Sequence, residues 1–295
     1  MTKINIKFTR FSAFYSPLIL TMSGGFLAEE GLDASYSIAD SGVSAIDALI
    51  DGSAHVVQTA LSQGLMTLEK GRIPAALHFA QINEMDGFFL TGRNEDPDFN
   101  WNKLIGKDVL VDHGSQPLAM FKYACHKAGI NYDDINSINV GNDYQMDTAF
   151  RNGKGNYIHQ QGPAPQQLEF DGIGHVVTSV GKPIGTCGFS SLAATPEWLE
   201  GDMAKTFMRA YRKARAFITD APASEIAVSE ASLFPNIEQI ALENTIEVYQ
   251  KLGCWSPHVE ITKEAYAATL NVFEYVNQIT KRHAYENCCV LPPSN

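Results

Sequence analysis

The stretch that decides the fold is residues 2–40, TKINIKFTRFSAFYSPLILTMSGGFLAEEGLDASYSIAD. Residues 4–8 alternate apolar and polar side chains, which is the two-residue period of a half-buried strand. Pro17 then opens an apolar helical segment that stops near Gly31, because proline suits the first helical turn and glycine the position after the last. A second strand follows at about 34–39. This stretch therefore predicts a strand, a helix and a second, parallel strand.

The same alternation of strands and helices continues outward from this stretch. It predicts an α/β fold with mainly parallel sheets. The polar, turn-rich segment 92–106 interrupts the alternation, which restarts over 108–178 and gives way to helices after Pro196. We therefore expect a first lobe that begins the chain, a second lobe inserted into it, and a return to the first lobe with C-terminal helices. The predicted limits are 1–90, 91–185 and 186–295.

Composition and charge restrict the class of partner. A net charge of −11 argues against nucleic acid and anionic membranes, which favour basic patches. No apolar run reaches the roughly 18 residues of a membrane span, so direct membrane insertion is not expected. The first residues form a strand and not a signal peptide, which predicts a cytoplasmic chain, or a periplasmic one from which a signal peptide was removed. Five scattered cysteines predict no disulfide framework, no metal and no cofactor.

Four segments carry a recognisable pattern. They are GGFLAEEGLD at 24–33, SGVS at 41–44 with ALIDGSA at 48–54, LIGKDV at 104–109 and MAKTFMRA at 203–210. In order and spacing they resemble the NMT1/THI5-like family, which includes the sulfonate-, nitrate- and taurine-type substrate-binding proteins. The resemblance implies a type II periplasmic-binding-protein fold, with two lobes, a hinge and one small ligand between the lobes. It also implies an ABC permease as a partner if the chain is exported.

A further segment, IGTCGFSS at 184–191, lies where the pyrimidine-synthesising members of the family carry a CCCFC loop. Only Cys187 and Phe189 match that loop, which argues against iron-dependent, self-consuming chemistry. The alternative function is a cytosolic enzyme on the same scaffold, THI5-like or desulfinase-like, acting on a small heterocyclic or organosulfur substrate. In that case Cys187 would need His113 or His159 as its base.

Candidate ligand contacts follow the predicted strands, because ligands of open α/β sheets bind beyond the carboxyl ends of the strands. In the first lobe, Phe11, Phe14 and Tyr15 are expected either to stack on a flat ligand or to cap the core. Ser41 and Ser44 are expected to cradle an anion or a carbonyl group, or else to cap a helix.

Asn83 and Glu84 follow the fourth predicted strand. Carboxylates are costly to bury without a partner. Together with Asp86, Glu84 would therefore favour a cationic ligand if the pair faces the cleft, and would otherwise lie on an exposed loop.

In the second lobe, His113 and Ser115 precede a predicted helix, and Gln160 and Gln161 end a predicted strand. Side-chain amides both donate and accept hydrogen bonds, which suits a heterocyclic or amide ligand. The other interpretation of Gln160 and Gln161 is a hinge-side turn. The sequence thus predicts reversible capture of a small polar or heteroaromatic metabolite by closure of two lobes.

Overall fold

The computed structural model describes residues 1–40 and 42–294. Within these residues the strands are β1 (Thr2–Phe8), β2 (Leu32–Ile38), β3 (Val56–Ala60), β4 (Leu77–Gln81), β5 (Phe88–Gly92), β6 (Asp108–Leu110), β7 (Asn136–Ile138), β8 (Tyr157–Gln161), β9 (His175–Ser179) and β10 (Ser190–Ala194). The α-helices are α1 (Ser16–Ser23), α2 (Phe26–Glu29), α3 (Asp47–Ile50), α4 (Leu61–Glu69), α5 (Ser115–Lys127), α6 (Asp143–Arg151), α7 (Ala164–Phe170), α8 (Gly181–Ile184), α9 (Pro196–Leu199), α10 (Asp202–Asp220), α11 (Ala223–Glu230), α12 (Gln239–Leu252) and α13 (Lys263–Tyr275).

The strands form two sheets of five. The first has the order β2-β1-β3-β10-β4 and the second the order β7-β6-β8-β5-β9. In the first sheet β10 runs antiparallel to β3 and β4, and in the second β5 runs antiparallel to β8 and β9. The remaining pairs are parallel. Each antiparallel strand is the first one the chain forms after crossing from one sheet to the other. We call each sheet with its covering helices a lobe.

The sequence missed the two antiparallel strands. β5, with the sequence FFLTG, is buried at all five positions, so it has no alternation of apolar and polar side chains to detect. It lies wholly in the second sheet, although the predicted first lobe ran to residue 90. The limits at residues 90 and 185 stay a prediction. The single helix predicted after Pro17 is two helices, because the chain turns at Gly25, whose φ is +80°.

Two segments cross between the lobes, at 82–87 and 180–189, and they form the hinge. They run side by side for part of their length. The backbone N–H of Ile82 donates to the carbonyl of Ser190 at 2.8 Å, and that of Cys187 donates to the carbonyl of Glu84 at 2.8 Å. The hinge therefore consists of two crossing segments that are hydrogen-bonded to each other.

The C-terminal segment covers the edge of the first sheet. His78 of β4 donates from its backbone N–H to Cys288 at 2.9 Å and accepts from Val290 at 3.0 Å. Cys288 and Cys289 are buried as a result. An edge strand with unpaired backbone groups gains stability from such cover. None of the helices within residues 1–40 and 42–294 is long and apolar enough to cross a membrane.

Candidate ligand-binding cleft

A cleft opens between the two lobes. Three adjoining cavities of about 890, 220 and 170 Å³ share Arg10 in their walls. The walls come from loops and helix starts that follow β1, β2 and β3 on one side and β6, β7 and β8 on the other. All six strands point their carboxyl ends at the cleft, which is where ligands of open α/β sheets bind.

Gln160 is the most informative side chain of the cleft. It ends β8 in the wall of the 220 Å³ cavity and is only 4% exposed. Neither its amide oxygen nor its amide nitrogen has a hydrogen-bond partner within the described part of the chain. Buried polar groups in native proteins are almost always paired, and an unpaired one costs about 1–3 kcal/mol. Both amide atoms are sealed from solvent in this conformation, so a ligand would reach them and supply the missing acceptor and donor only once the cleft opens.

Part of the lining of the same cavity is apolar. Phe11, Phe234 and Ile237 form this part, and the rings of Phe11 and Phe234 lie 5.2 Å apart. A cavity with aromatic groups and an amide in its lining fits a flat molecule that has polar atoms at its edge.

Arg10 joins the lobes across the cleft. Its Nη2 lies 2.6 Å from Oδ2 of Asp112, and its Nε lies 3.3 Å from Oδ2 of Asp143. Gln58 holds the Arg10 loop, since its side-chain oxygen accepts from the backbone N–H groups of Thr9 at 3.0 Å and Arg10 at 3.2 Å. Arg10 was not among the predicted contacts, although its position in the loop after the first strand was a signal for it.

Asp112 is held on two sides. Its Oδ1 accepts from the backbone N–H of Gly114 at 2.7 Å, next to the start of α5, while its Oδ2 accepts from Arg10. Burial by itself would raise the pKa of Asp112, but the Arg10 guanidinium and the Gly114 N–H outweigh it and hold that pKa below its ordinary value. Asp112 is therefore a carboxylate at neutral pH.

Further contacts connect the lobes beside Arg10. The hydroxyl of Ser12 donates to the carbonyl of Gly162 at 2.6 Å, and the Tyr15 hydroxyl lies 3.3 Å from the amide nitrogen of Gln161. Tyr249 of α12 holds the loop at Gly162 in place, because its hydroxyl accepts from the Gly162 N–H at 2.8 Å. The loop that carries Tyr15 and the loop that carries Gln161 thus meet across the cleft.

Residues 13–225 match the model of the NMT1/THI5-like family. The chain belongs to this family. It is 26% identical over 289 residues to the Bacillus subtilis protein named "Putative binding protein YtlA", covering 97% of this chain and 86% of that one.

Solved structures confirm the predicted periplasmic-binding-protein fold. The alkanesulfonate-binding protein SsuA of Xanthomonas axonopodis, bound to MOPS, superposes with a TM-score of 0.76 at 15% identity, covering 99% of each chain. The nitrate-binding protein NrtA of Synechocystis superposes with a TM-score of 0.64 at 17% identity, covering 90% of this chain and 75% of that one. At identities of 15% and 17%, the two superpositions show that this family member shares its fold with both proteins.

Seven of the side chains that the sequence proposed line the cleft of this NMT1/THI5-like protein: Phe11, Tyr15, Ser44, His113, Ser115, Gln160 and Gln161. The Oγ of Ser44 also accepts from the backbone N–H of Ile46 at 3.3 Å, as a capping serine does. Nδ1 of His113 lies 2.8 Å from the carbonyl of Val111. Ser41 lies outside the described residues.

Four other proposed residues lie away from the cavities, and Phe14 is the first of them. Its ring is buried against Phe189 and Tyr249, with centroids 5.5 and 4.9 Å apart. A Cβ atom on Gly87 would come within 2.3 Å of that ring. Phe14 is therefore part of the core under the hinge.

Asn83 and Glu84 lie in the hinge. The amide of Asn83 donates to the carbonyl of Phe14 at 2.9 Å and accepts from the N–H of Ser190 at 2.9 Å. The carboxylate of Glu84 is bonded to Ser256 at 3.2 Å and His258 at 3.1 Å. Neither side chain faces the cleft, because the chain leaves β4 toward the other lobe.

Cys187 is also in the hinge and completely buried, and burial raises the pKa of its thiol. His159 lies elsewhere, with its ring 4.3 Å from that of Phe88 and 4.7 Å from that of Phe121. Burial lowers the pKa of His159 to about 3. Within residues 1–40 and 42–294 no hydrogen bond joins Cys187 to a histidine, and no group of three or more His, Cys, Asp or Glu residues is placed to hold a metal ion.

Proposed function

We propose that this chain is a substrate-binding protein that holds one small polar or heteroaromatic molecule between its lobes. The observation that carries the proposal is the buried amide of Gln160, which has no partner within the described residues and lies in the wall of a cavity of about 220 Å³. A ligand that donates one hydrogen bond and accepts another would satisfy it, at about 1 kcal/mol for each bond.

The two lobes contribute different kinds of contact to the ligand in this proposal. The first lobe supplies apolar surface through Phe11, and Tyr15 adds a hydroxyl at the side. The second lobe supplies the amides of Gln160 and Gln161. Since the lobes are joined by the paired crossings at 82–87 and 180–189, a rotation there would open the cleft and let the ligand in.

The transport role is part of the same proposal. Membership of the NMT1/THI5-like family and the likeness to the named sulfonate- and nitrate-binding proteins support a binding component of an ABC-type uptake system. Such a component would work outside the cytoplasmic membrane and deliver its ligand to a permease.

The direct test is native mass spectrometry of the purified protein, which would reveal a bound small molecule. Gln160→Met keeps the size of the side chain and removes its amide, so the variant should carry less than about a tenth of the ligand. Gln239→Met, on the exposed first residue of α12, is the matched control and should retain it. Equal ligand content in both variants would place the binding site elsewhere.

A further inference from the structure

The cleft is lined by more acidic than basic side chains. Among the described residues that line the three cavities, the charged side chains are Arg10, Asp40, Asp112 and Asp143, a formal net charge of −2 with histidine neutral, although burial and the neighbouring Asp112 raise the pKa of Asp143. The single guanidinium is already paired with Asp112 and Asp143. An anionic ligand would meet an excess of like charge, which is costly in a partly desolvated site.

Asp112 already accepts from the hydrogen-bond donors that would attract an anionic ligand. An oxyanion is best held by a guanidinium together with backbone N–H groups at the start of a helix. Here the carboxylate of Asp112 takes both: one oxygen accepts from Arg10 at 2.6 Å and the other from the Gly114 N–H at 2.7 Å. Because the pKa of Asp112 is held below its ordinary value, this internal anion stays charged at neutral pH.

The start of α6 at the cleft is closed in the same way, whereas α4, which also starts there, has no side-chain cap. Asn142 precedes α6, and its side-chain oxygen accepts from the N–H of Gln145 at 3.0 Å. The side chain of Gln145 accepts in return from the N–H of Asn142 at 2.9 Å. This capping box satisfies the N–H groups that an anion would otherwise use.

We infer that Asp112 is a built-in substitute for a ligand anion, and that the cleft therefore selects neutral or cationic ligands and excludes sulfonates, carboxylates and nitrate. The inference rests on the proposed function and adds the charge class of the ligand to it. Asp112 acts as a specificity-determining residue by engaging Arg10. The unpartnered amide of Gln160 provides the polar contact for a neutral group, and the more exposed Asp143 is placed for a cationic one.

The test uses three flat probes of nearly equal shape and different charge: benzoate, benzamide and benzamidine. Their affinities would be measured by NMR titration, on protein from which bound ligand has been removed by unfolding and refolding. The variants are Asp112→Asn/Asp143→Asn, Gln160→Met, and Asp133→Asn as a control for loss of one charge at an exposed position outside the cleft. Asp143→Asn alone, at a side chain that is 56% exposed, replaces the double variant if the latter does not fold.

We expect benzamide and benzamidine to bind the native protein at least about tenfold more tightly than benzoate. The double variant should reverse the order of benzoate and benzamidine, Asp133→Asn should keep it, and Gln160→Met should weaken all binding. Benzoate binding to the native protein as tightly as benzamide, with loss on Gln160→Met, would overturn the charge inference and leave the proposed function standing. An unchanged order in the double variant would also overturn the role of Asp112. If no probe shows binding that depends on Gln160, both the inference and the proposed function fail.

Discussion

The hinge and the cleft both contain buried amides, and the two differ in what surrounds them. Asn83 of the hinge has both amide atoms bonded to protein groups, whereas Gln160 of the cleft has neither. The two residues have the same chemistry and nearly the same burial. The difference shows that burial and residue type by themselves do not decide whether an amide is satisfied by the fold.

The same contrast holds for the charged groups. Arg10 and Glu84 both follow a strand of the first sheet, but only Arg10 lines the cleft. After β1 the chain stays in the first lobe, so its loop lies at the carboxyl edge of the sheet. After β4 the chain crosses to the second lobe, and its polar groups are buried in the crossing. The rule that ligands bind at strand ends therefore fails where the chain leaves the sheet.

The largest effect is expected at Asp86 of the hinge, whose pKa is raised to about 7 by burial. The unfolded state releases this proton near the ordinary aspartate pKa of 3.8, so the native protein should lose stability as the pH rises from about 4 to about 7. The Asp86→Asn variant should not lose stability in this way, because asparagine does not titrate. The difference in unfolding free energy between variant and native protein should therefore grow by up to about 4 kcal/mol between pH 3.5 and pH 8. Urea unfolding at several pH values measures it, and a constant difference would contradict a protonated Asp86.

The next largest effect is expected for Asn83→Leu. The substitution keeps the volume but leaves the N–H of Ser190 unpaired inside the hinge, while the carbonyl of Phe14 keeps the Trp255 indole N–H as its donor. The unfolding free energy should fall by about 2 kcal/mol, since a buried unpaired group costs about 1–3 kcal/mol. Denaturant titration gives the value, and a loss below about 1 kcal/mol would mean that the hinge tolerates unpaired groups as the cleft does.

Gln160→Met is the counterpart in the cleft. Because the amide has no protein partner, its removal should leave the unfolding free energy unchanged or raise it by about 1 kcal/mol. Ligand affinity should fall by at least about tenfold. Calorimetric titration with the molecule found by mass spectrometry tests the affinity. A clear loss of thermal stability with unchanged affinity would assign Gln160 to the fold and remove the contrast with Asn83.

Tyr15→Phe should have the smallest effect. The ring is 3% exposed and packs beside Phe14, while the hydroxyl makes only long contacts of 3.3 and 3.4 Å with Gln161. Loss of the hydroxyl should weaken ligand binding by about threefold, equivalent to about 0.6 kcal/mol, with the melting temperature nearly unchanged. Tyr15→Ala, by contrast, should destabilise the protein because it opens a cavity. Equal affinities of Tyr15→Phe and the native protein would limit Tyr15 to a packing role.

The sequence determined by itself what depends on local patterns. The alternation in residues 4–8, the helix that begins near Pro17 and the strand that follows are confirmed, and with them the α/β fold. The glutamines at the end of β8 were also found from sequence, since a parallel strand carries its functional groups at its carboxyl end.

Only the tertiary structure decided which of these polar groups line the cleft. Whether Asn83 is satisfied depends on Phe14 and Ser190, which are far from it in the chain. The role of Arg10 depends on Asp112, 102 residues away, and on a cleft that exists only when both lobes are folded. Local sequence patterns report the period of a segment and which of its faces is apolar, but hydrogen-bond partners and shared charge are properties of residues that folding brings together.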